Sequence, residues 1–392
     1  MDALVDRILR TATSGAGIDG IADVLCEGLL ALGVPLSRVV LAMPTVDPTF
    51  RAISGIWLRG AAAYEEITPY GLEEDARFER SPIHHLLGHD RTEGRWDLGD
   101  AASIAPFPLL QDLARRGGTD YLLKLIRFPA DPALLGLSVS VGTDIPGGFT
   151  PEHVVRIEGV LPAVGLACYR LAATRIATEA LKIYVGPRTS AKILAGDIKR
   201  GTGQAISAAV FFADLKNFTS FTETHPPEKV IGWLNEHFEV LGDAIDAEDG
   251  EILKFMGDSI LAIFPVGAGR DATKEACGRA LSAAKAALAG TDALNRARKA
   301  IGAPPIAVDI VLHFGDVHYG NVGAARRLDF TVIGAAVNEA SRIEKLCDGL
   351  GRNLLLSESF ATQSSEETQL LGTYALRGVS RLHRIFGLAG QP

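Results

Sequence analysis

The sequence contains little cysteine: four residues in 392, far apart in the chain and without a C-x-x-C pair. That spacing excludes a zinc ribbon and a thioredoxin-like redox motif. Unpaired cysteines are typical of a reducing compartment, where most of them are buried structural residues. The four are Cys26, Cys168, Cys277 and Cys347. We therefore expect a cytoplasmic protein.

An excess of positive charge is also lacking. Lys and Arg number 39 against 47 Asp and Glu, which gives a formal net charge of −8. Non-specific nucleic-acid binding needs a basic surface, so the charge balance argues against that class of partner. It does not argue against a nucleotide substrate, because bound divalent metal ions can neutralise phosphates locally.

No apolar stretch of the sequence reaches the roughly 20 residues that a membrane-spanning helix needs. The most apolar stretches, 133–142 and 160–173, are shorter, and Arg170 interrupts the second. The first ten residues, MDALVDRILR, carry acidic residues within their apolar pattern, unlike a signal peptide. We therefore expect a soluble chain without a membrane span.

Several nucleotide- and metal-binding motifs are absent or weak. The chain has no G-x-x-x-x-G-K-[S/T] loop and no GGDEF-type string. Gly15, Gly17 and Gly20 form a G-x-G-x-x-G string, but no strand precedes it, so it is interpreted as a turn between helices. The histidines of SPIHHLLGHD could bind haem or a metal, although a polar loop with ordinary histidines is favoured. They are His84, His85 and His89.

What the sequence does contain is three segments with different patterns. Residues 1–150 predict a mixed α+β domain, 151–203 a helical linker or dimerisation stalk, and 204–392 a second α+β domain. In the linker, apolar residues recur at helical spacing, and Pro162 is expected to kink or interrupt the run. A helix that only packs on its own domain fits this pattern equally well.

The first segment predicts an amphipathic helix, two strands, a polar stretch and two more strands. The helix is predicted at 18–32 and the strands at 38–43, 50–57, 121–128 and 134–141. Eight apolar strand residues could line a ligand pocket, although an ordinary hydrophobic core is favoured. They are Val39, Leu41, Ile53, Ile56, Leu123, Leu125, Leu137 and Val139.

Strands and helices alternate in the third segment. Their β-α-β-β-α-β order predicts a ferredoxin-like fold, with helices on one face of an antiparallel sheet. The predicted strands are 208–213, 251–255, 259–264, 307–314, 330–333 and 353–357, and the predicted helices are 228–247, 273–300 and 337–346.

Two aspartates stand at the ends of these predicted elements. Asp214 ends the apolar strand AAVFFAD, and Asp258 lies in a tight hairpin turn after Gly257. Taken singly, one could be a helix cap and the other a turn residue. The predicted topology places the hairpin beside the first strand, so both carboxylates would converge at one end of the sheet. Such a pair is typical of two-metal phosphoryl-transfer sites.

Four sequence blocks then indicate a family. FFADLKNFTSF, GEILKFMGDSILAIF, FGDVHYGNVG and DFTVIGAAVNEASRIE resemble, in order and spacing, the signature blocks of class III adenylate and guanylate cyclases. The resemblance covers roughly residues 204–388. The order of elements in residues 1–150 is similar to that of a GAF or PAS sensor domain, which implies a small-molecule ligand for that domain.

The cyclase resemblance implies roles for particular residues. Asp214 and Asp258 match the metal-binding aspartates, with the backbone carbonyl of Leu215 as a further ligand. Lys254 matches the lysine that reads adenine, and Thr331 occupies the second base-recognition position of a Thr-type subclass. The implied catalytic set is completed by Asn338 for the ribose and Arg342 for the transition state, and the implied substrate-binding set by Phe218, Thr219, Gly257, Arg326 and Arg327.

Elementary geometry supports part of this set. Asn338 and Arg342 are four residues apart on a predicted helix and therefore share one face. A guanidinium is suited to stabilise charge on a transferring phosphoryl group. One departure from the family is Val379, at a position where some members carry a phosphate-binding lysine. Arg377, Arg381 or the pair at 326 and 327 could supply that charge.

The resemblance implies an adenylate cyclase that converts ATP to 3′,5′-cyclic AMP and pyrophosphate with two divalent metal ions, Mg²⁺ or Mn²⁺. Adenine is favoured over guanine because guanylate cyclases of the family usually carry an acidic residue where this chain has Lys254. In the family, the metal-binding and base-reading sets act across a head-to-tail homodimer. A guanylate cyclase and a catalytically silent nucleotide-binding scaffold are the alternatives.

Overall fold

The computed structural model describes residues 1–45, 50–128, 136–324 and 326–390. The chain divides into two compact units, Met1–Ala180 and Leu181–Pro392.

The first unit is built on a six-stranded antiparallel sheet with helices before, between and after its strands. Its elements are α1 Asp2–Thr13, α2 Ile18–Ala31, β1 Arg38–Pro44, β2 Phe50–Leu58, β3 Tyr64–Pro69, α3 Leu72–Glu79, α4 Pro82–Gly88, β4 Glu93–Asp97, α5 Ala101–Ile104, α6 Pro108–Arg115, β5 Asp120–Arg127, β6 Gly136–Thr143, α7 Pro151–Glu158 and α8 Leu161–Val185, the last of which continues into the second unit.

The strand order in this sheet is β3-β2-β1-β6-β5-β4. The predicted helix (α2) and the four predicted strands are confirmed as β1, β2, β5 and β6; residues 134–135 of the last prediction lie outside the described part. The edge strands β3 and β4 were missed. Most of the side chains of β3 are exposed, so the strand lacks the alternation that identifies a half-buried strand.

Each face of this sheet has its own hydrophobic core. Val39, Leu41 and Val139 pack against helices α1, α2, α7 and α8. Leu123 faces the other way and packs with residues of α4, α5 and α6. Most of the eight residues considered for a pocket are therefore core residues, the favoured interpretation: Ile53 and Leu137 belong to the first core, Leu125 borders the second, and Ile56 is half-buried.

The predicted helical run is interrupted near Pro162, as expected. α7 ends at Glu158, and Pro162 lies in the first turn of α8, where a missing backbone N–H breaks no helical hydrogen bond. By length and composition, the helical region Pro151–Val185 is long and apolar enough to cross a membrane, although the stretch 160–173 alone is too short. Length and composition are weak evidence, because a core helix passes the same test, and 39% of the most apolar window is buried.

The second unit is a larger α+β structure around an eight-stranded sheet. Its elements are α9 Pro187–Leu194, β7 Gly203–Leu215, α10 Phe218–Thr224, α11 Pro227–Ala247, β8 Glu251–Met256, β9 Ser259–Pro265, α12 Ala272–Ala300, β10 Val308–Ala324, β11 Arg327–Ile333, α13 Ala335–Glu344, α14 Cys347–Leu350, β12 Leu354–Ser357, α15 Glu358–Ala361, β13 Thr368–Ala375 and β14 Leu382–Leu388.

The ferredoxin-like core is confirmed. The chain order β7-α11-β8-β9-α12-β10 folds into the spatial strand order β10-β7-β9-β8, and all three pairings are antiparallel. β12 pairs in parallel with β10, followed by β14 and β13, while β11 pairs with the distal half of β10. The β10–β11 ribbon thus extends beyond the core sheet.

The expectation that helices cover one face of this sheet is wrong. Phe211 packs with α11 and α12 on one face. Its neighbours Val210 and Phe212 pack with Ala340 and other α13 residues on the opposite face. Because both faces are covered, β7 is a continuous apolar run rather than an alternating one.

Candidate active site

Asp214 lies near the end of the central strand β7, half-buried and opposite Asp309 of β10. The strand continues through Leu215, and α10 begins only at Phe218, after Asn217 in a left-handed conformation. Asp214 is therefore not at the N-cap of α10, and the capping interpretation is wrong. Its Oδ1 instead accepts a hydrogen bond from the Ser259 hydroxyl of β9.

Asp258 lies in the two-residue turn between β8 and β9, after Gly257 at a φ of +68° that favours glycine. Since β9 pairs with β7, with Ile260 opposite Ala213, this turn lies beside the end of β7. Burial and the negative charge of Asp214 raise the pKa of Asp258. The two aspartates therefore lie close enough for their charges to interact.

Lys254 lies on β8 next to a β-bulge that shifts the pairing with β9 between Ile252 and Lys254. Bulges commonly re-aim a side chain. The Lys254 ammonium forms an ion pair with Asp329 of β11. Thr331 is half-buried two residues further along β11. The structure thus brings Lys254 into contact with β11, the strand that carries Thr331, through the acid Asp329.

The helix α13 carries the two remaining catalytic candidates. Ala336, Ala340 and Ile343 are buried in the core, leaving Asn338 exposed and Arg342 half-buried. Two acids, Glu339 and Glu344, lie near Arg342 in the sequence. Among the described residues, neither of them forms an ion pair with Arg342. One of them, Glu339, is buried and accepts two hydrogen bonds from Arg381, at 2.8 and 3.1 Å.

That contact bears on the triphosphate candidates. Since Arg381 is held by Glu339, its charge is already partly neutralised. Arg326, Arg327 and Arg377 are all exposed. Val379 is partly buried against the core beneath α13, which gives a structural reason for an apolar residue there.

The remaining candidates lie at the edges of the site or away from it. Phe218 is half-buried over a small apolar cavity lined also by Leu215 and Trp233, and Thr219 is exposed.

In the first unit, the His85 and His89 rings lie 4.4 Å apart and the His84 ring contacts Phe78. In the described ranges, no group of three or more His, Cys, Asp or Glu side chains is arranged to hold a metal ion.

The donor set around Asp214 nevertheless fits divalent cations. Two carboxylates and the carbonyl oxygen of Leu215 are hard oxygen ligands, the type that Mg²⁺ and Mn²⁺ prefer. Mg²⁺ usually takes one or two protein carboxylates and completes its shell with water and substrate phosphates. Burial and the charge of Asp214 raise the pKa of Asp258, and a bound cation would favour its ionised form.

Comparison with known proteins is consistent with this geometry. Residues 203–383 match the family described as the adenylate and guanylate cyclase catalytic domain. The matched residues make up most of the second unit, Leu181–Pro392. The chain is 33% identical over 183 residues to adenylate cyclase 1 of Rhizobium meliloti (strain 1021), covering 46% of this chain and 27% of that protein. It is 37% identical over 167 residues to the adenylate cyclase of Anabaena cylindrica, covering 42% and 32%.

The matches thus span about a third or less of these relatives. Among solved structures, a bacterial light-regulated adenylyl cyclase aligns with a TM-score of 0.50 over 90% of this chain and 94% of that chain, at 18% identity. At this identity the likeness concerns the fold alone.

The second unit also contains acids near Asp214 that the sequence did not identify. Burial, with the charges of Asp214 and Asp309, raises the pKa of Glu344 to about 7. Burial likewise raises the pKa of Asp309 to about 6, although Lys216 lies 3.0 Å away and opposes the shift. An acid inside the apolar strand VDIVLHF was the one available signal for Asp309.

Glu344→Gln is expected to change how stability depends on pH. A carboxyl with a raised folded-state pKa contributes stability below its unfolded value near 4.5, and this contribution is lost as pH rises through about 7. The variant lacks this loss. From pH 4.5 to pH 8, the free energy of unfolding of the variant should therefore rise relative to that of wild type by about 1–2 kcal/mol, after allowing for partial solvent exposure.

Urea unfolding of the second unit in EDTA, at pH 4.5 and pH 8, measures this difference in the free energy of unfolding. Glu367→Gln, at an exposed position of the same unit, is the control and should track wild type at both pH values. A Glu344→Gln difference that does not vary with pH would contradict the expectation.

Proposed function

We propose that this protein is an adenylate cyclase that converts ATP to 3′,5′-cyclic AMP and pyrophosphate with two divalent metal ions, Mg²⁺ or Mn²⁺. The observation that carries the proposal is the convergence of Asp214 and Asp258 at one sheet end, in a domain that also carries Lys254, Thr331, Asn338 and Arg342. The adenylate cyclases of Rhizobium meliloti and Anabaena cylindrica, similar over this domain, support the same substrate.

In the proposed reaction, the ribose 3′-oxygen attacks the α-phosphorus in line, and pyrophosphate leaves. When bound to Asp214, Asp258 and the Leu215 carbonyl, the metal ions supply positive charge that offsets the phosphates and lowers the pKa of the 3′-hydroxyl. The Asp214 carboxylate accepts the 3′-hydroxyl proton. Asn338 orients the ribose, and the Arg342 guanidinium donates hydrogen bonds to the charge that develops on the phosphoryl oxygens.

The two sets of residues are proposed to meet across a head-to-tail homodimer. The chain carries the metal-binding pair once and the base, ribose and transition-state set once. A two-fold dimer would then contain two equivalent sites, each built from both chains. The exposed Asn338 and half-buried Arg342 are accessible for such sharing.

The first unit is proposed to be a GAF/PAS-like sensor that binds a small molecule. It has its own sheet and cores, and a small cavity of about 20 Å³ between the ends of β1 and β2 and helix α8, lined in part by Met43, Phe50 and Ile176. That volume holds about one water molecule, so a bound small molecule would have to widen the cavity. We place the protein in the cytoplasm, where ATP is available and free thiols such as its four buried cysteines persist.

Within the second unit, α9 is a candidate to carry a signal to the site. Buried Thr189 donates a hydrogen bond to Glu251 of β8 at 3.1 Å, and the Tyr319 hydroxyl of β10 donates to the same carboxylate at 2.7 Å. The Lys192 ammonium lies 4.3 Å from the centre of the Tyr319 ring and 5.3 Å from that of Phe330, next to Thr331. A movement of α9 would therefore reach the strands that carry the base-recognition residues.

One assay tests the catalytic proposal. Purified protein is incubated with ATP or GTP and Mg²⁺ or Mn²⁺, and the product is identified by chromatography. We expect cyclic AMP from ATP, and none when EDTA removes the metal. Cyclic GMP as the main product would establish a guanylate cyclase instead, and nucleotide binding without either product would favour the silent scaffold.

A further inference from the structure

A buried carboxylate lies beneath α13, between the two catalytic candidates of that helix in the sequence. Glu339 follows Asn338 directly and precedes Arg342 by three residues, and it is 5% exposed. Its spacing from Ala336 and Ile343 puts it on the buried face of the helix. A carboxylate is costly to bury in its charged form unless a cation and hydrogen bonds compensate it. The position of α13 therefore depends on the groups that face Glu339.

Three basic side chains face this carboxylate. The Arg381 guanidinium donates hydrogen bonds to both carboxylate oxygens, at 3.1 and 2.8 Å. Nε2 of His313 on β10 and Nδ1 of His383 on β14 lie 3.8 and 3.7 Å from Oε2, beyond hydrogen-bonding distance. Burial lowers the pKa of both histidines, that of His313 to about 4, so both are largely neutral near pH 7. Among the described residues, Arg381 is thus the cation that pairs with Glu339.

The segment before β14 that carries Arg381 also contacts Arg342. Residues 376–379 form a tight turn closed by a backbone hydrogen bond of 3.0 Å. Gly378 lies in this turn at a φ of +73°, and a Cβ there would be 3.7 Å from Nη2 of Arg342. The Arg342 guanidinium therefore lies against the backbone of the turn. The same short segment thus contacts α13 twice, at Arg342 and, through Arg381, at Glu339.

We propose that the Arg381–Glu339 ion pair positions Arg342 for catalysis by tying the 376–379 turn to α13. Arg381 is then a positioning residue that acts through Arg342 rather than by touching the nucleotide. The inference rests on the proposed cyclase function and adds two residues outside the catalytic set to it. Without Arg381, the buried carboxylate would lack its cation, and α13 and the turn would shift to let water or a proton reach it. A displacement of about 1 Å in a reacting group can cost about a hundredfold in rate.

The experiment compares kcat and KM for ATP in wild type, Arg381→Gln and Arg381→Lys at saturating Mn²⁺. Arg381→Gln removes the charge, and we expect kcat to fall about ten- to hundredfold while KM changes less than about threefold. Arg381→Lys restores a cation and should recover part of the loss. The Arg381 side chain is 67% exposed, so both variants should fold, which thermal unfolding without nucleotide establishes.

The same change in an Arg342→Ala background tests whether Arg381 acts through Arg342. If it does, Arg381→Gln should lower kcat there by less than about twofold, because the group that it positions is already absent. A direct phosphate ligand would instead raise KM, and its loss would cost the same factor in both backgrounds. Either of these results, or a wild-type kcat in Arg381→Gln, would overturn the proposal.

The matched control is Arg384→Gln, on the neighbouring strand β14. It removes the arginine of another ion pair, Arg384–Glu358 at 2.7 Å, in which both side chains are about half exposed. We expect kcat and KM for ATP to stay at the wild-type values. A loss of kcat as large as that of Arg381→Gln would show that the effect is not particular to the pair beneath α13, and the proposal would fail.

A second readout separates this inference from the proposed function. Phenylglyoxal labels arginine side chains, and peptide mass spectrometry measures the labelling rate of Arg342 without any turnover. Arg342 should react several-fold faster in Arg381→Gln and in Glu339→Gln than in wild type, and at the wild-type rate in Arg384→Gln. If wild type forms no cyclic nucleotide, the cyclase proposal fails, but faster labelling would still support the positioning of Arg342. Equal rates in all four proteins would reject it.

Discussion

Asp214→Ala is expected to abolish cyclic AMP formation while the domain stays folded. The change removes a proposed metal ligand and proton acceptor, and it leaves the Ser259 hydroxyl without its carboxylate partner. Loss of one preorganised group that stabilises charge commonly costs about 10²–10³ in rate, and a metal carboxylate should cost at least that much. Asp258 should titrate at lower pH in the variant, since one cause of its raised pKa is the charge of Asp214.

The measurements are turnover of ATP with Mn²⁺ and thermal unfolding with and without Mn²⁺ and a non-hydrolysable ATP analogue. Asp243→Ala, which removes an exposed acid on α11, is the control and should keep wild-type turnover. We expect Asp214→Ala to unfold at a temperature near that of wild type but to lose stabilisation by Mn²⁺. Substantial cyclase activity in Asp214→Ala would contradict the assignment of Asp214 to the active site.

Arg342→Ala is expected to lower kcat by about 10²–10³ with a smaller effect on KM, because the guanidinium is proposed to act on charge present in the transition state. Arg342→Lys should recover only part of the loss, since an ammonium cannot form the planar fork of donors. Burial of α13 depends on Ala340 and Ile343 rather than on Arg342, so both variants should fold.

Mixing the two inactive variants tests whether each site needs two chains. If Asp214→Ala and Arg342→Ala monomers exchange randomly at equal concentration, half of the dimers contain one of each. Such a dimer has one doubly defective site and one intact site, so about a quarter of wild-type activity should return. A mixture that is no more active than the separate variants, under conditions in which chain exchange is demonstrated, would contradict shared sites.

Much of the second unit could be predicted from local pattern. The hairpin around Gly257 and Asp258 is short-range: two apolar strands and a turn residue specify it without any distant contact. The buried face of α13 follows from the spacing of Ala336, Ala340 and Ile343. The convergence of Asp214 and Asp258 followed from topology, since the β-α-β-β-α-β order puts the hairpin beside the first strand.

Other features depended on which surfaces meet. The pattern of α13 identified the apolar face of the helix but not the face of the sheet against which it packs. In the structure α13 packs on one face of the sheet, and α11 and α12 pack on the other. Asp309 and Glu344 have raised pKa values because packing buries them beside Asp214. No local sequence pattern indicates that these three acids lie together.

The contrast is sharpest at the base-recognition end. Lys254 could be identified from its sequence block, but its partner Asp329 could not. The two are 75 residues apart, and their contact depends on the bulge in β8 and on the β10–β11 ribbon. The sequence made Arg381 a candidate phosphate ligand. In the structure, however, Arg381 donates a hydrogen bond to the buried Glu339 of α13. Sequence periodicity records which residues are buried; strand register and packing decide which charges become neighbours, and those neighbours determine the chemistry of the site.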